Sequence, residues 1–216
     1  MEKIVHKEDI VEYKDFLSKQ ECEDLIDYFN SSEDDWNVTC FYASYVMDPN
    51  ASFENKNNTD KTPEYFNELK TKLRNIAEEV SPKKLKNLSL SAHKWTPGAF
   101  AAHHSDNTEL DGTPNAWQDN KFVTIIYLND NYDGGNLLFN AHGISISPSA
   151  GTVIAFDPGF TNLHGVSEVT SGVRYTILSS FDHVDSVYPR DLFEWRKEYS
   201  KEQEEQRKEW EKNNHF

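Results

Sequence analysis

The sequence predicts a mainly β domain of the α+β class: an antiparallel barrel or jelly roll, buttressed by N-terminal helices and followed by a charged C-terminal helix. Three observations carry this. From Lys86 onward, short apolar or alternating runs follow one another at 87–95, 121–129, 136–140, 143–147, 152–157 and 172–182. Turn residues separate them, among them Asp133-Gly134-Gly135, Gly143, Pro148, Gly151, Pro158-Gly159 and Gly172. Before them lie two segments of helical period, and many short strands after paired helices favour a closed or double-sheet β architecture with the helices on one outer face.

The first helix is expected within 15–30. Ser18 and Glu21 form a capping box, and Cys22, Leu25, Ile26 and Phe29 recur on one face. Residues 42–61 are polar, Asn-rich and contain Pro49, which reads as a loop or lid. A second helix starts at Thr62-Pro63 and runs to about Val80, with Phe66, Leu69, Leu73, Ile76, Ala77 and Val80 as its stripe. After the strands, residues 190–212 read as a solvated charged helix with a short apolar stripe, Leu192, Trp195 and Tyr199. The expected organisation is one domain over 1–189, with a helical buttress at 1–85 and a jelly-roll core at 86–189, and then the helix of 190–216.

The 216 residues suffice for a sizeable core, and 37% hydrophobic content argues against wholesale disorder. The formal net charge is -15. So acidic a surface repels phosphate backbones and anionic lipid, so nucleic acid and membrane are not expected partners. The opening MEKIVHKED has no apolar core of a signal peptide, and no apolar run approaches a membrane span. The expected compartment is the cytoplasm. Cys22 and Cys40 are the only cysteines, too few for a disulfide framework or a thiolate metal site.

Eight histidines are too many to interpret singly. The informative pattern is His104-Ser105-Asp106, which can aim one imidazole nitrogen and one carboxylate oxygen at a common point. His164, far along the chain, is the candidate third ligand. Two neutral nitrogen donors and one carboxylate on one face of an octahedron suit Fe(II) and leave positions open for other ligands. Arg174 follows ten residues after His164, on the far side of a turn at Ser171-Gly172. A buried arginine there needs an anionic partner, and a dicarboxylate chelating the metal at its other end would supply one. Thr176 shares its strand face and offers a hydroxyl. His93, His103 and His142 are weaker pocket candidates. His103 lacks an acid two residues on, and no Arg or Lys lies nine to eleven residues beyond His142.

The stretch from about Lys86 to Asp182 resembles the catalytic domain of prolyl 4-hydroxylase-like 2-oxoglutarate/Fe(II) dioxygenases. The matching pieces are Trp95-Thr-Pro-Gly98 leading to His104-Ser-Asp106, Phe122-Val-Thr-Ile-Ile-Tyr127-Leu-Asn129, and Asp133-Gly-Gly-Asn-Leu-Leu-Phe139. Pro148-Ser-Ala-Gly-Thr-Val-Ile-Ala-Phe156 and His164-Gly-Val through Gly172-Val-Arg174-Tyr-Thr176 follow in order. The resemblance implies a double-stranded β-helix with His104, Asp106 and His164 on iron, and Arg174 with Tyr127 on the far carboxylate of 2-oxoglutarate. It further implies O2 as oxidant, with ascorbate as a candidate reductant. Succinate and CO2 form as a substrate C–H gains a hydroxyl. Trp95 stands where the family usually has tyrosine near the co-substrate, and indole N–H donates but does not accept. A carboxylate at 106 favours hydroxylation, since Gly or Ala there would open a site for halide.

The substrate is less legible. Residues 36–61 and 107–119 are expected to flank the barrel mouth, and Trp36, Tyr42, Tyr45 and Trp117 are the candidate substrate contacts. By the resemblance, a prolyl residue in a peptide or protein comes first and a free amino acid or other small molecule second. A non-catalytic jelly-roll binding module is the rival, but it leaves the combined triad and arginine unexplained. Oligomeric state is left open.

Overall fold

Two antiparallel sheets face each other, and helices cover the outer face of the larger one. The structure, a computed structural model, describes residues 1–31, 33–39, 43–49 and 61–213, of which 203–204 and 206–213 contribute backbone only. The strands are β1 (Glu2–Lys7), β2 (Ile10–Lys14), β3 (Asn37–Val38), β4 (Ser44–Met47), β5 (Leu85–Trp95), β6 (Ala101–His104), β7 (Phe122–Tyr127) and β8 (Asp133–Gly134). After these come β9 (Leu137–Phe139), β10 (Ile144–Ile146), β11 (Val153–Phe156), β12 (His164–Val166), β13 (Val169–Ser171) and β14 (Arg174–His183). The helices are α1 (Lys19–Asn30), α2 (Pro63–Glu78) and α3 (Leu192–Asn213). The major sheet has eight strands in the order β1-β2-β11-β7-β14-β5-β4-β3, and the minor sheet four, β10-β9-β12-β6. A two-stranded pair, β13-β8, completes the set, an arrangement consistent with a double-stranded β-helix.

Both early helices start where their caps say. The Ser18 hydroxyl accepts from the Glu21 amide while the Glu21 carboxylate accepts from the Ser18 amide at 2.8 Å, satisfying two amides that helix geometry leaves open. Thr62 caps α2 through the Tyr65 amide at 3.2 Å, with Pro63 in the first turn. Their buried stripes, Cys22, Leu25 and Phe29 on α1 and Phe66, Leu69, Leu73 and Ile76 on α2, pack against Val11, Ile126, Val153, Ile177 and Phe181 of the major sheet. The opposite face of that sheet, with Val123, Ile125, Tyr127, Ile154 and Phe156, meets Leu137, Phe139 and Ile146 of the minor sheet. Every residue of β7 is buried for this reason: the strand lies mid-sheet with protein on both faces.

The N-terminal segment corrects the expectation of a purely helical buttress over 1–85. Residues 2–14 form a hairpin that joins the major sheet, β2 pairing with β11 from Ile10↔Phe156 to Tyr13↔Val153. Part of the expected loop at 42–61 is also strand, because β4 pairs with β5. Most of the remainder of that loop lies outside the described residues. The charged C-terminal helix is present as α3, and no helix among the described residues is long and apolar enough to cross a membrane.

Candidate active site

The cavity between the sheets, about 510 Å³, opens on His104, Asp106, His164, Arg174 and Thr176 together. Strand pairing assembles it. His104 ends β6 and stands directly opposite His164 at the start of β12, so their ring centroids lie 4.5 Å apart. The two strands come this close because Gly165 intervenes, where a Cβ would fall 2.8 Å from the Ala101 carbonyl oxygen.

Asp106, in the turn after β6, places Oδ1 3.4 Å from the Nε2 of both His104 and His164. All three candidate donor atoms lie within 4.8 Å of one another, the only such group of three or more among the described residues. Each histidine is oriented from behind: His104 Nδ1 donates to the Ala102 carbonyl at 2.8 Å and His164 Nδ1 to the Asn162 carbonyl at 3.1 Å. Both Nε2 lone pairs are thereby aimed inward, as a metal requires. Burial alone would raise the Asp106 pKa, but the two facing imidazoles outweigh it and hold the carboxyl below its usual range. For His104, burial opposes protonation and the bond to Asp106 prevails, raising its pKa. Each group thus favours charge on the other.

Deeper in the cavity, Arg174 is 2% exposed. Its Nη2 donates to the Tyr127 hydroxyl at 3.2 Å, and its guanidinium lies 4.9 Å from the Tyr127 ring centroid and 5.2 Å from that of Trp95. Among the described residues no carboxylate pairs with it, and its Nε has no hydrogen-bond partner. The register explains the grouping, because Arg174 lies across from Trp95, and Thr176 lies between Tyr127 and His93 on the neighbouring strands. Gly135, in the left-handed region at φ 63°, clears the guanidinium's path, since a Cβ there would sit 2.9 Å from Arg174 Cδ. An arginine buried at this cost without an acid fits a carboxylate-bearing ligand.

His93 lines the same cavity, and burial together with the Arg174 charge pushes its pKa down to about 4. Tyr132 also approaches the guanidinium; burial pushes its pKa up to about 12. Sequence reasoning passed over Tyr132, as it did Asn120, whose amide donates to Asp106 Oδ2 at 3.0 Å. The other two weaker candidates, His103 and His142, do not line the cavity. His142 is tied to the Thr161 carbonyl at 2.9 Å, and the buried Nε2 of His103 has no partner among the described residues.

Of the aromatic residues expected at the mouth, Trp117 lines the cavity. Trp36 and Tyr45 do not. Lys94 packs over both rings, and Trp36 contacts Phe29 and Tyr175 on the helix-covered side of the major sheet. Tyr42 lies outside the described residues.

Residues 90–181 match the family model described as the 2OG-Fe(II) oxygenase superfamily, whose reagents are Fe(II), 2-oxoglutarate and O2. A segment of 97 residues is 33% identical to prolyl 3-hydroxylase 2 of Mus musculus, covering 39% of this chain and 14% of that protein. The fold matches a viral collagen prolyl hydroxylase from Paramecium bursaria Chlorella virus-1, solved with 2-oxoglutarate, at a TM-score of 0.59. That match is 19% identical and covers 82% of this chain and 96% of the other. A prolyl hydroxylase from Trichoplax adhaerens, solved with a hypoxia-inducible-factor peptide fragment, matches at a TM-score of 0.61 and 14% identity, over 83% and 86% of the two chains. Over the segment shared with the mouse protein, this chain is similar to prolyl 3-hydroxylases. It spans only about a seventh of the mouse relative.

Proposed function

We propose that this domain hydroxylates a prolyl residue in a peptide or protein, with Fe(II) held by His104, Asp106 and His164 and the far carboxylate of 2-oxoglutarate held by Arg174. The observation that carries the reading is the buried Arg174, without a carboxylate partner among the described residues, in the same cavity as the triad. When bound, Fe(II) and 2-oxoglutarate supply O2 activation, with oxidative decarboxylation of the co-substrate to succinate and CO2.

The residues do the rest. Arg174 offers a fork to a carboxylate, and the hydroxyls of Tyr127 and Thr176 lie where they can donate to the same group. Trp95 covers the guanidinium and keeps water from it. His93, neutral at pH 7, adds no second cation to this end of the pocket. Ile125, Leu137 and Val166 give the walls an apolar character that excludes water around the reacting C–H bond. Trp117, at the mouth, presents an aromatic surface to which a prolyl ring can pack. The prolyl assignment is supported by the relatives and structural neighbours above, several of which are prolyl hydroxylases.

The test is to supply anaerobically purified protein with Fe(II), 2-oxoglutarate, ascorbate and air, together with proline-rich peptides or free amino acids. Peptide products gaining one oxygen on proline, matched by succinate, are expected. Oxygen gained only by a free amino acid would move the substrate to the small-molecule class, and no succinate with any of them would remove the enzyme reading.

A further inference from the structure

We propose that Asn120 is a positioning residue that holds Asp106 as a one-oxygen metal ligand. The inference rests on the reading of His104, Asp106 and His164 as the iron site. The two oxygens of the Asp106 carboxylate have different surroundings. Oδ1 points between the histidines, 3.4 Å from each Nε2. Oδ2 points away and accepts from Asn120 Nδ2 at 3.0 Å. A carboxylate with one oxygen engaged this way cannot rotate to chelate through both without breaking the bond. In an octahedral site, a second carboxylate oxygen would take one of the three positions a bidentate co-substrate and O2 need.

The amide orientation follows from charge. With Asp106 ionised, the opposite flip would set Asn120 Oδ1 against a carboxylate oxygen. In the orientation present, Oδ1 is buried and has no partner among the described residues, a cost that a purely structural asparagine has no reason to carry. Asn120 also lines the cavity.

The turn bearing Asn120 is fastened on several sides. The Asn120 amide donates to the Trp117 carbonyl at 2.8 Å, and the Asn120 carbonyl accepts from Asn107 Nδ2 at 2.7 Å. From α3, Arg196 pairs with Asp119 and donates through Nε to the Ala116 carbonyl at 3.1 Å, and the Tyr199 ring meets Trp117 edge-on at 5.3 Å. The C-terminal helix thus braces the turn that braces the iron ligand, which gives this charged appendage a place in the site.

The experiment measures Fe(II) affinity and, anaerobically, the visible charge-transfer band of the Fe(II)–2-oxoglutarate complex. It compares the full-length protein with Asn120→Leu, which keeps the volume without a donor, Asn120→Ala, and Asn120→Gln, which keeps the carboxamide. The expected result is Fe(II) binding weaker by about tenfold or more in the Leu and Ala variants, the lower end for lost outer-sphere partners of a metal ligand. The band should shift in both, partial recovery should follow with Gln, and metal-free thermal unfolding should be retained. If Leu does not fold, Ala carries the comparison. Affinity within twofold of wild type with an unshifted band would overturn the proposal. If wild type itself binds no Fe(II), or His164→Ala binds it equally well, the iron-site reading fails and takes the proposal with it.

Discussion

Replacing Arg174 with methionine separates what this residue does for the fold from what it does for the ligand. The guanidinium is 2% exposed, and among the described residues it has the Tyr127 and Tyr132 hydroxyls and two aromatic faces as company but no carboxylate. Those contacts return about 1 kcal/mol for each hydrogen bond and about 0.5–2 kcal/mol for each cation–π contact, against a desolvation penalty of several kcal/mol. An apolar side chain of similar length removes the penalty. The metal-free variant should therefore be more stable by about 1–2 kcal/mol, raising Tm by roughly 2–8 °C for a chain of this size. With 2-oxoglutarate the sign reverses. The ligand's far carboxylate loses a buried ionic partner, a loss of about 2–5 kcal/mol, or roughly 30-fold to a few thousand-fold in Kd. Calorimetric titration of 2-oxoglutarate into metal-loaded protein, with thermal unfolding of the metal-free form, reads both effects. A variant that is less stable without ligand and binds 2-oxoglutarate as tightly as wild type would refute the argument on both counts.

Other expectations are smaller or more local. The His93 pKa is pushed down to about 4 in the folded protein, below the roughly 6.5 of an unfolded chain, so the unfolded state binds the proton first. Its stabilising contribution is complete above about pH 6.5 and is lost as pH falls towards 4, with an upper limit of roughly 3 kcal/mol that pocket water reduces. The wild-type minus His93→Gln difference in unfolding free energy should follow that window, and a flat difference would count against it. Ser18→Ala removes half of the α1 capping box and should cost about 1 kcal/mol in denaturant unfolding, with Ser18→Asp restoring most of it. Gly165→Ala should separate β6 from β12, because its Cβ would meet the Ala101 carbonyl at 2.8 Å. The expected outcome is metal affinity reduced at least severalfold while the helices' circular dichroism is kept.

The chemistry was more legible in the sequence than the surroundings of the chemistry. His104, Asp106, His164 and Arg174 could be picked out by spacing, because a metal and a dicarboxylate would demand particular donors on particular strands, and the structure brings all four to one cavity. The helices were legible because their caps and stripes are local signals. The hairpin of β1 and β2 was not. Ile10-Val-Glu-Tyr13 is buried on both faces, with Glu12 facing His6 at 2.8 Å, so it shows no alternation to read. Tyr45 illustrates a different limit. Adjacent strand residues face opposite sides, and only the pairing of Ser44 with Trp95 and of Tyr45 with Lys94 decides which faces the cavity. Asn120 and Tyr132 belong to no spacing rule. Their positions arise from turns that return the chain to the site, which only the folded structure reveals.

The central claim is that the triad and Arg174 form one working site, and succinate formation tests it most directly. Reconstituted wild-type protein should convert 2-oxoglutarate to succinate only when Fe(II) and O2 are both present, faster with a peptide substrate. His164→Ala should lose this activity together with Fe(II) binding, and Arg174→Met should lose it while still binding Fe(II). Succinate produced equally by wild type and His164→Ala, or none from wild type with Fe(II) bound, would contradict the account.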